Sequence, residues 1–335
     1  MSAEKQQWYE VKEVGGSLWH FRFMLWITCH LPLRIVELCT AVICFFFWMG
    51  AAPVRKRSLA YLGRLAAVQG RRMPFMGTYR HVLSFALSMI EKLLGWRGAI
   101  KLNQVETQGD DLGRLVEQLD RGEGAFLICS HLGNMEMLRS LTGYGEIHTH
   151  REFKVYPVVD FSGTSKFNAL LRELNPELME LVIDANRIGV DSAVWMKEQM
   201  AAGNVVAIAG DRTSANSQGR NVEMDFLGDA ANFPEGAFTL AGILNAPIYF
   251  TFAIRKHDFD IRAPYEMHVI KAKTDFDCSR KERPERILML VREYTQLLQK
   301  YCMAHPYQWY NFYDFWNKNI RLCSLKWLLI RLKMT

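Results

Sequence analysis

The stretch Gly124-Ala-Phe-Leu-Ile-Cys-Ser-His131-Leu-Gly-Asn134-Met-Glu136-Met-Leu-Arg139 decides how this chain of 335 residues folds. Its first part is a short apolar run of strand-forming residues that stops abruptly at Ser-His. A Gly-Asn turn follows, and apolar residues then recur at helical spacing. The pattern predicts a buried β-strand, a turn and a helix. His131 therefore lies at the carboxyl end of a strand, where α/β proteins bind their ligands.

A carboxylate follows this histidine at a spacing that would allow it to contact the imidazole ring. Glu136 comes five positions after His131, in the predicted first turn of the helix, from which it can reach back to the imidazole ring. A histidine oriented by an acid acts as a general base. Such a pair suits a reaction in which the substrate brings its own hydroxyl or amine, and acyl transfer is the first candidate. The structural alternative is a histidine bonded to the backbone, with Glu136 merely stabilising a helix N-terminus.

Apolar patterns alternate along the rest of the chain. Helical periodicity covers residues 61–96 and 112–119. Strand-like runs occur at 153–159, 178–183, 205–209 and 248–254, and helical patterns at 167–174, 190–200 and 235–244 separate several of them. The alternation predicts an α/β fold with a central, mostly parallel sheet flanked by helices. We expect an N-terminal membrane-associating helical segment over 1–60, one catalytic domain over 61–320 and a basic amphipathic tail over 321–335.

Basic residues lie next to the apolar segments of the chain. The formal net charge is +6, and basic side chains beside apolar ones predict contact with an anionic membrane surface. No nucleic-acid recognition motif is present, so we expect no nucleic-acid partner. The basic residues concerned are Arg55, Lys56, Arg57, Arg64, Arg71 and Arg72 after the N-terminal apolar segment, and Arg321, Lys326, Arg331 and Lys333 in the tail.

The N-terminal apolar segment, residues 23–52, allows three interpretations. Its uncharged part, residues 38–54, is somewhat shorter than the roughly 20 residues that a transmembrane helix needs. It could form a single marginal span, a helical hairpin within one leaflet, or a buried core helix. The basic flank favours the membrane and, if the segment spans it, places the main domain on the cytoplasmic side. Seven cysteines without metal-like spacing indicate a reducing compartment and no metal site.

A second strand-end block carries charged residues. The apolar run at 205–209 ends in Gly210-Asp211-Arg212, and a polar loop continues to Arg220. We predict that Asp211, Arg212 and Arg220 bind substrate, because a guanidinium forks onto phosphate groups. An Asp211–Arg212 pair that stabilises a turn is the alternative. Arg187, which follows another predicted strand, is a further candidate for the same cleft.

A third block predicts a helix N-terminus facing the cleft. Pro234 and Glu235 begin the helical pattern, and the amide groups near Glu235 and Gly236 could bind phosphate or the oxyanion of a tetrahedral intermediate. A well-capped helix start explains the same residues without a function. Asn134, in the turn after His131, completes the candidate substrate-binding residues.

These blocks together resemble the lysophospholipid acyltransferase superfamily, and most closely its lipid A late acyltransferases. The resemblance rests on the His131-x4-Glu136 motif, on the N-terminal apolar helix with its basic flank, on the strand-end Gly210-Asp211-Arg212, on Phe226-Leu-Gly before Gly236, and on Pro306-Tyr-Gln-Trp309. Phe233-Pro-Glu-Gly236 resembles the Phe-Pro-Glu-Gly motif of glycerolipid acyltransferases. The turn sequence after His131 and the residues after Trp309 differ from the lipid A enzymes, which concerns the acceptor more than the chemistry.

The resemblance implies an acyltransferase at the cytoplasmic face of the bacterial inner membrane. Its donor would be an acyl thioester on acyl carrier protein, with acyl-CoA as the other donor, and its acceptor a membrane lipid or glycolipid. His131, held by Glu136, would remove the acceptor's proton, while Arg187, Arg212 and the helix start at Glu235 bind phosphate or the oxyanion. Neither a metal nor a redox cofactor is implied. Two alternatives remain: a non-catalytic lipid or acyl-carrier binding protein, and a lipid esterase, although no Gly-x-Ser-x-Gly motif is present.

Overall fold

The computed structural model describes residues 18–96, 105–108, 111–135, 149–161, 165–212 and 220–316. The predicted catalytic acid Glu136 and the predicted basic tail, 321–335, lie outside the described residues.

A mostly parallel β-sheet forms the centre of the molecule, so the predicted fold class is confirmed. Within the described residues it has seven strands in the order β1-β9-β8-β2-β5-β3-β4, and only the β8–β9 pair is antiparallel. A separate antiparallel hairpin consists of β6 and β7. The strands are β1 Val105–Gln108, β2 Ala125–Cys129, β3 Val155–Val159, β4 Ile183–Asp184, β5 Val205–Ala209, β6 Asn221–Phe226, β7 Asp229–Pro234, β8 Ile248–Arg255 and β9 Tyr265–Lys271.

Helices cover both faces of this sheet. They are α1 Leu18–His30, α2 Leu33–Gly50, α3 Ala52–Val68, α4 Gly77–Trp96, α5 Asp111–Asp120, α6 Ser165–Leu174, α7 Pro176–Glu180, α8 Val190–Ala201, α9 Gly236–Leu244 and α10 Arg283–Ala304. A short 3₁₀ turn, Ala185–Arg187, follows β4.

Strand β2 is the buried centre of the sheet, and its side chains divide between two cores. It lies between β5 and β8, and all five of its residues are buried, which explains why its sequence is an uninterrupted apolar run. Because successive side chains point to opposite faces, Phe126 and Ile128 join the core beneath α3, α8, α9 and α10. Leu127 joins the smaller core beneath α5. The carboxyl end of β2 is therefore rigidly placed.

The structure corrects two local predictions, a strand and the residue that begins a helix. The apolar run at 178–183 is not a strand: Asn175 caps the helix α7, its Oδ1 accepting from the Leu178 amide at 3.1 Å, and Pro176 fits the first helical turn. Only Ile183 and Asp184 pair with β3. The helix predicted over 235–244 is confirmed as Gly236–Leu244 with Glu235 at its N-cap, but Pro234, which was predicted to begin it, ends β7 and pairs with Asn221 in a hairpin that the sequence did not predict.

The N-terminal helices pack against the main body. α2 lies against α4, where Val36 contacts the cluster that contains Leu87 and Ile90. The predicted boundary at residue 60 falls within α3, whose second half, including Tyr61 and Leu65, belongs to the large core. Among the described helices, α2 alone is long and apolar enough to cross a membrane, with a mean hydropathy of 1.8.

Candidate active site

The register of two neighbouring strands brings His131 and Asp211 together. β2 and β5 run parallel, with Cys129 paired to Ala209. His131 and Asp211 each lie two residues beyond these ends, so they leave the same edge of the sheet on adjacent strands, about 4.8 Å apart. The Nδ1 atom of His131 lies 2.7 Å from Oδ1 of Asp211. A histidine and a carboxylate therefore form a pair at the carboxyl edge, where α/β folds bind ligands.

The Asp211 carboxylate is completely buried and accepts several hydrogen bonds. Its side chain is 0 % exposed. Besides the His131 ring, its Oδ2 accepts from the His131 backbone N–H at 2.8 Å and from Nε1–H of Trp309 at 3.0 Å. Burial acts to raise the pKa of Asp211, but His131 and Arg212 outweigh it and lower that pKa below its usual value. The carboxylate is therefore ionised, and the Nδ1 atom of His131 carries the proton.

The His131 side chain is partly exposed, and its second ring nitrogen, Nε2, is not hydrogen-bonded within the described residues. The side chain is 24 % exposed, and no described residue makes a hydrogen bond to Nε2. Burial lowers the pKa of His131, Arg212 lowers it further, and Asp211 only partly opposes them. At neutral pH the ring is therefore uncharged, with Nε2 as an unprotonated base.

The structure assigns the acid beside His131 differently from the sequence. Glu136 was predicted to hold the ring, and it lies outside the described residues, so its role stays a prediction. The Nδ1 atom is occupied by Asp211, which was predicted to bind substrate. A buried carboxylate saturated by His131 and Trp309 is suited to orient the ring instead. The signal for this pair was in the sequence: each residue stands two positions beyond a buried apolar run.

A segment late in the chain clamps the turn that carries His131. We call residues 306–313 the strap. The Gly133 amide donates to the Gln308 carbonyl at 2.8 Å, and the Tyr310 amide donates to the His131 carbonyl at 3.0 Å. Tyr313 donates its hydroxyl to the Asp211 carbonyl at 2.9 Å. The strap thus holds both members of the pair, a role that the sequence did not reveal.

Close packing makes a glycine necessary in this turn. Gly133 has a φ of +74°, and a Cβ added there would lie 1.9 Å from the Ala253 carbonyl oxygen. The Asn134 amide donates to the same carbonyl at 2.8 Å. The turn is therefore pinned against β8. Asn134 is buried, and its predicted contact with substrate stays a prediction.

Four successive backbone amides after β2 donate to partners within the protein. Those of His131, Leu132, Gly133 and Asn134 donate to Asp211, to Ser130 Oγ, to Gln308 and to Ala253 respectively. The turn therefore offers no N–H group to an oxyanion. Two cations act on His131 instead, since Arg212 and, more weakly, Lys92 lower its pKa. Lys92, on α4, was not predicted from the sequence.

No nucleophile is ready beside His131 in the described part of the chain. The Cys129 thiol is buried, and burial raises its pKa to about 12 although Thr251 donates to its sulfur. Ser130 is buried as well, and its Oγ accepts from the Leu132 amide at 3.1 Å. Cys129 therefore packs in the core beneath α5.

Arg187 does not lie beside His131. It follows β4, which is three strands from β2, a separation of about 14 Å along the edge of the sheet. Its side chain is 87 % exposed, and its Nε lies 3.5 Å from Oδ2 of Asp184. Arg187 lies at the same carboxyl edge of the sheet as His131 and Asp211 but at a distance from both.

Arg212 is held between the pair and the strap. It follows Asp211 directly, and its Nη2 donates to the Tyr310 carbonyl. Its positive charge lowers the pKa of His131. Of the predicted cationic residues, Arg212 is thus the one that the structure brings to the histidine.

The remaining predicted residues lie at the base of the β6–β7 hairpin. The Glu235 amide donates to the Arg220 carbonyl at 3.2 Å, and the Arg220 side chain is exposed. Gly236 begins α9 and is exposed. A Cβ added at Gly210 would lie 3.1 Å from the ring of Phe238, in the first turn of α9, so this helix start lies near the end of β5. No group of three residues that could hold a metal ion occurs among the described residues.

Comparison with known proteins does not identify a relative for this chain: no family model matches it, and no curated protein is significantly similar to it.

Proposed function

We propose that this protein is a membrane-associated bacterial acyltransferase. It transfers a fatty acyl group from a thioester, carried by acyl carrier protein or by CoA, to a hydroxyl or amine of a lipid or glycolipid. The observation that carries the proposal is the neutral, carboxylate-bound His131: its side chain is partly exposed, its Nε2 has no hydrogen-bond partner among the described residues, and no nucleophile of the described chain lies beside it. Such a base suits a reaction in which a hydroxyl or amine of the substrate is the nucleophile.

The proposed reaction follows from this geometry. The Nε2 atom of His131 takes the proton of the acceptor hydroxyl or amine as its oxygen or nitrogen bonds to the thioester carbonyl carbon. The tetrahedral intermediate then collapses, the carbon–sulfur bond breaks, and the imidazolium returns the proton to the leaving thiolate. Asp211 keeps the proton on Nδ1 throughout and stabilises the imidazolium while it exists.

In the proposed reaction, positively charged side chains stabilise the negative charge that develops on the thioester oxygen. The amides of His131, Leu132, Gly133 and Asn134 are occupied, so we assign this role to Arg212, with Lys92 as a second positive charge that acts on His131. The same charges would attract a phosphate of the donor or acceptor. Arg187, Arg220 and the start of α9 at Glu235–Gly236 remain candidates for more distant parts of the substrates.

The test is a product assay with matched histidine variants. Purified protein is incubated with isotope-labelled acyl carrier protein or acyl-CoA and total bacterial membrane lipid, and new lipids are identified by mass spectrometry. We expect a labelled acyl lipid from the wild type, and none from His131→Ala. His150→Ala is the control, because that side chain is exposed and precedes β3, at the opposite edge of the sheet.

Each outcome decides between the candidate functions. Labelled acyl lipid that depends on His131 supports the proposal and identifies the acceptor. Free fatty acid that depends on His131 would replace it with an esterase. Equal product from His131→Ala and the wild type would rule out the mechanism, and donor binding without turnover would indicate a binding protein.

A further inference from the structure

Helix α2 is apolar on the side that faces away from the protein as well as on the side that packs. Val36 and Cys44 are buried against the body. An ordinary surface helix carries polar residues on its outer face. The outer face of α2 instead carries an apolar stripe at helical spacing, composed of Ile35, Leu38, Val42, Phe46 and Met49, and flanked by Ile43 and Phe47.

The protein body holds α2 along much of its length. The Ile261 amide donates to Oε1 of Glu37 at 2.8 Å, near the start of the helix. The Tyr79 hydroxyl donates to the Ala41 carbonyl at 2.9 Å, in its middle. Nε1 of Trp48 donates to Oγ1 of Thr78 at 3.0 Å, near its end. A helix fixed at three levels cannot leave the body to cross a bilayer without breaking these contacts.

The helix that packs on α2 cannot accompany it into lipid. α4 carries Glu91, which is buried with Arg255 at 3.3 Å, and His81, which is bonded to the strap. α4 is therefore part of the packed body of the protein, fixed to β8 and to the strap. This arrangement is that of a helix lying on the surface of a domain.

A second apolar and basic element stands next to the end of α2. The loop between α3 and α4 contains Arg71, Arg72, Met73 and Phe75, all exposed, and Phe75 is 85 % exposed. It leads directly into Gly77, the start of α4, whose next residues contact Ala41 and Trp48. Loop and helix therefore lie side by side.

The charge of this region specifies the kind of membrane. Residues 38–90 contain seven arginines and lysines and no aspartate or glutamate. Arg57 and Arg64 are paired with Asp314 and Asp229, whereas Arg71 and Arg72 are exposed in the loop that carries Phe75. Exposed basic side chains beside exposed aromatic and aliphatic ones are complementary to anionic phospholipid.

We propose that the outer face of α2 and the loop 71–75 form one lipid-binding surface, on which the protein lies in the interface of a single anionic leaflet. α2 does not span the bilayer. Lipid binding by this surface is independent of the reaction proposed for His131, because it can be measured without turnover.

The first test measures vesicle binding of the full-length chain. Co-flotation is compared on phosphatidylcholine vesicles with and without phosphatidylglycerol. Replacing Phe75→Asp should weaken binding at least about 10-fold, because an apolar ring no longer enters the acyl region. The double change Arg71→Glu and Arg72→Glu should weaken binding to the anionic vesicles by about 30-fold or more. Val190→Asp is the control, since Val190 is 81 % exposed on a different helix.

The second test decides whether α2 spans. A protease-cleavable tag at the N-terminus is examined in sealed inside-out membrane vesicles. Cleavage of the tag together with the main domain, from the same side, is expected. Protection of the tag while the domain is cleaved would overturn the proposal, and so would unchanged vesicle binding of Phe75→Asp or equal loss in Val190→Asp. Melting curves of the variants confirm that each is folded.

Discussion

Two regions of the molecule hold a histidine tied to Trp309, and the difference between them explains why one region is the candidate site. In the helical layer, His81 is completely buried; its Nδ1 lies 2.9 Å from Oγ of Ser58, and its Nε2 lies 2.8 Å from the Trp309 carbonyl. At the edge of the sheet, His131 is bound to Asp211, which itself accepts from the Trp309 indole.

The partners decide what each ring can do. A carbonyl only accepts, so Nε2 of His81 carries the proton, Nδ1 accepts from Ser58, and both nitrogens are consumed. Burial lowers the pKa of His81 to about 4, so the ring stays neutral. His131 also has a lowered pKa, but its partner is an ionised carboxylate and its second nitrogen is open. A lowered pKa therefore does not distinguish the site; the carboxylate and the open nitrogen do.

We expect the largest effect on the rate from removing that carboxylate. Asp211→Asn should reduce the rate of acyl transfer on the order of 10³-fold, because the amide favours the wrong tautomer of His131 and no longer stabilises the imidazolium. The assay is steady-state kinetics, and kcat should fall far more than KM changes. Asp225→Asn, an exposed aspartate on β6, is the matched control and should leave both constants unchanged.

The pH dependence of the same variant separates positioning from mere structural damage. Activity requires neutral His131, so it rises with pH through the pKa of this residue, whose lowered value puts the midpoint below 6.5. Asp211 raises the pKa of His131 within the site, so its removal should move that midpoint to still lower pH. A midpoint that stays in place would contradict the assignment of Asp211.

The second effect concerns stability and belongs to His81. The unfolded chain binds a proton near pH 6.5, whereas folded His81 does so only at about 4. Between these values the unfolded state holds more protons, so the free energy of unfolding falls as the pH falls, by roughly 3 kcal/mol from this residue. Urea denaturation at pH 7 and pH 4.5 should show a smaller loss in His81→Gln than in the wild type. Equal losses would mean that His81 does not carry this linkage.

The comparison also shows what the sequence can and cannot predict. Buried strands such as β2 and β5 were predicted because their apolar runs are continuous, and the α/β class followed from their alternation with helices. Asp211 was recognised as a strand-end residue but not as the partner of His131, because strand order and register depend on long-range pairing. Trp309 and Lys92 were missed as parts of the site for the same reason: one is about 180 residues from His131, a separation that local patterns do not encode.

A smaller effect is expected at the tryptophan that joins the two regions. Trp309→Phe removes the Nε1–H donor from Asp211. A lost hydrogen bond to a charged group costs about 1.5–3 kcal/mol, and a less firmly held Asp211 should lower kcat about 10-fold. Thermal unfolding and kinetics measure both. Trp195→Phe, on α8 against Tyr156, should affect neither property as strongly, and equal effects would remove Trp309 from the site.

The smallest effect isolates the helical region from the site. Ser58→Ala removes the hydroxyl that donates to Nδ1 of His81, at a cost of about 1 kcal/mol in the free energy of unfolding. Ser58, His81, Trp309, Asp211 and His131 nevertheless form one continuous chain of contacts. If that chain only stabilises the fold, the rate stays at the wild-type value while the melting temperature falls. A fall in kcat without a matching loss of stability would instead mean that the hydroxyl influences His131 through Trp309, and that the two histidines form one site.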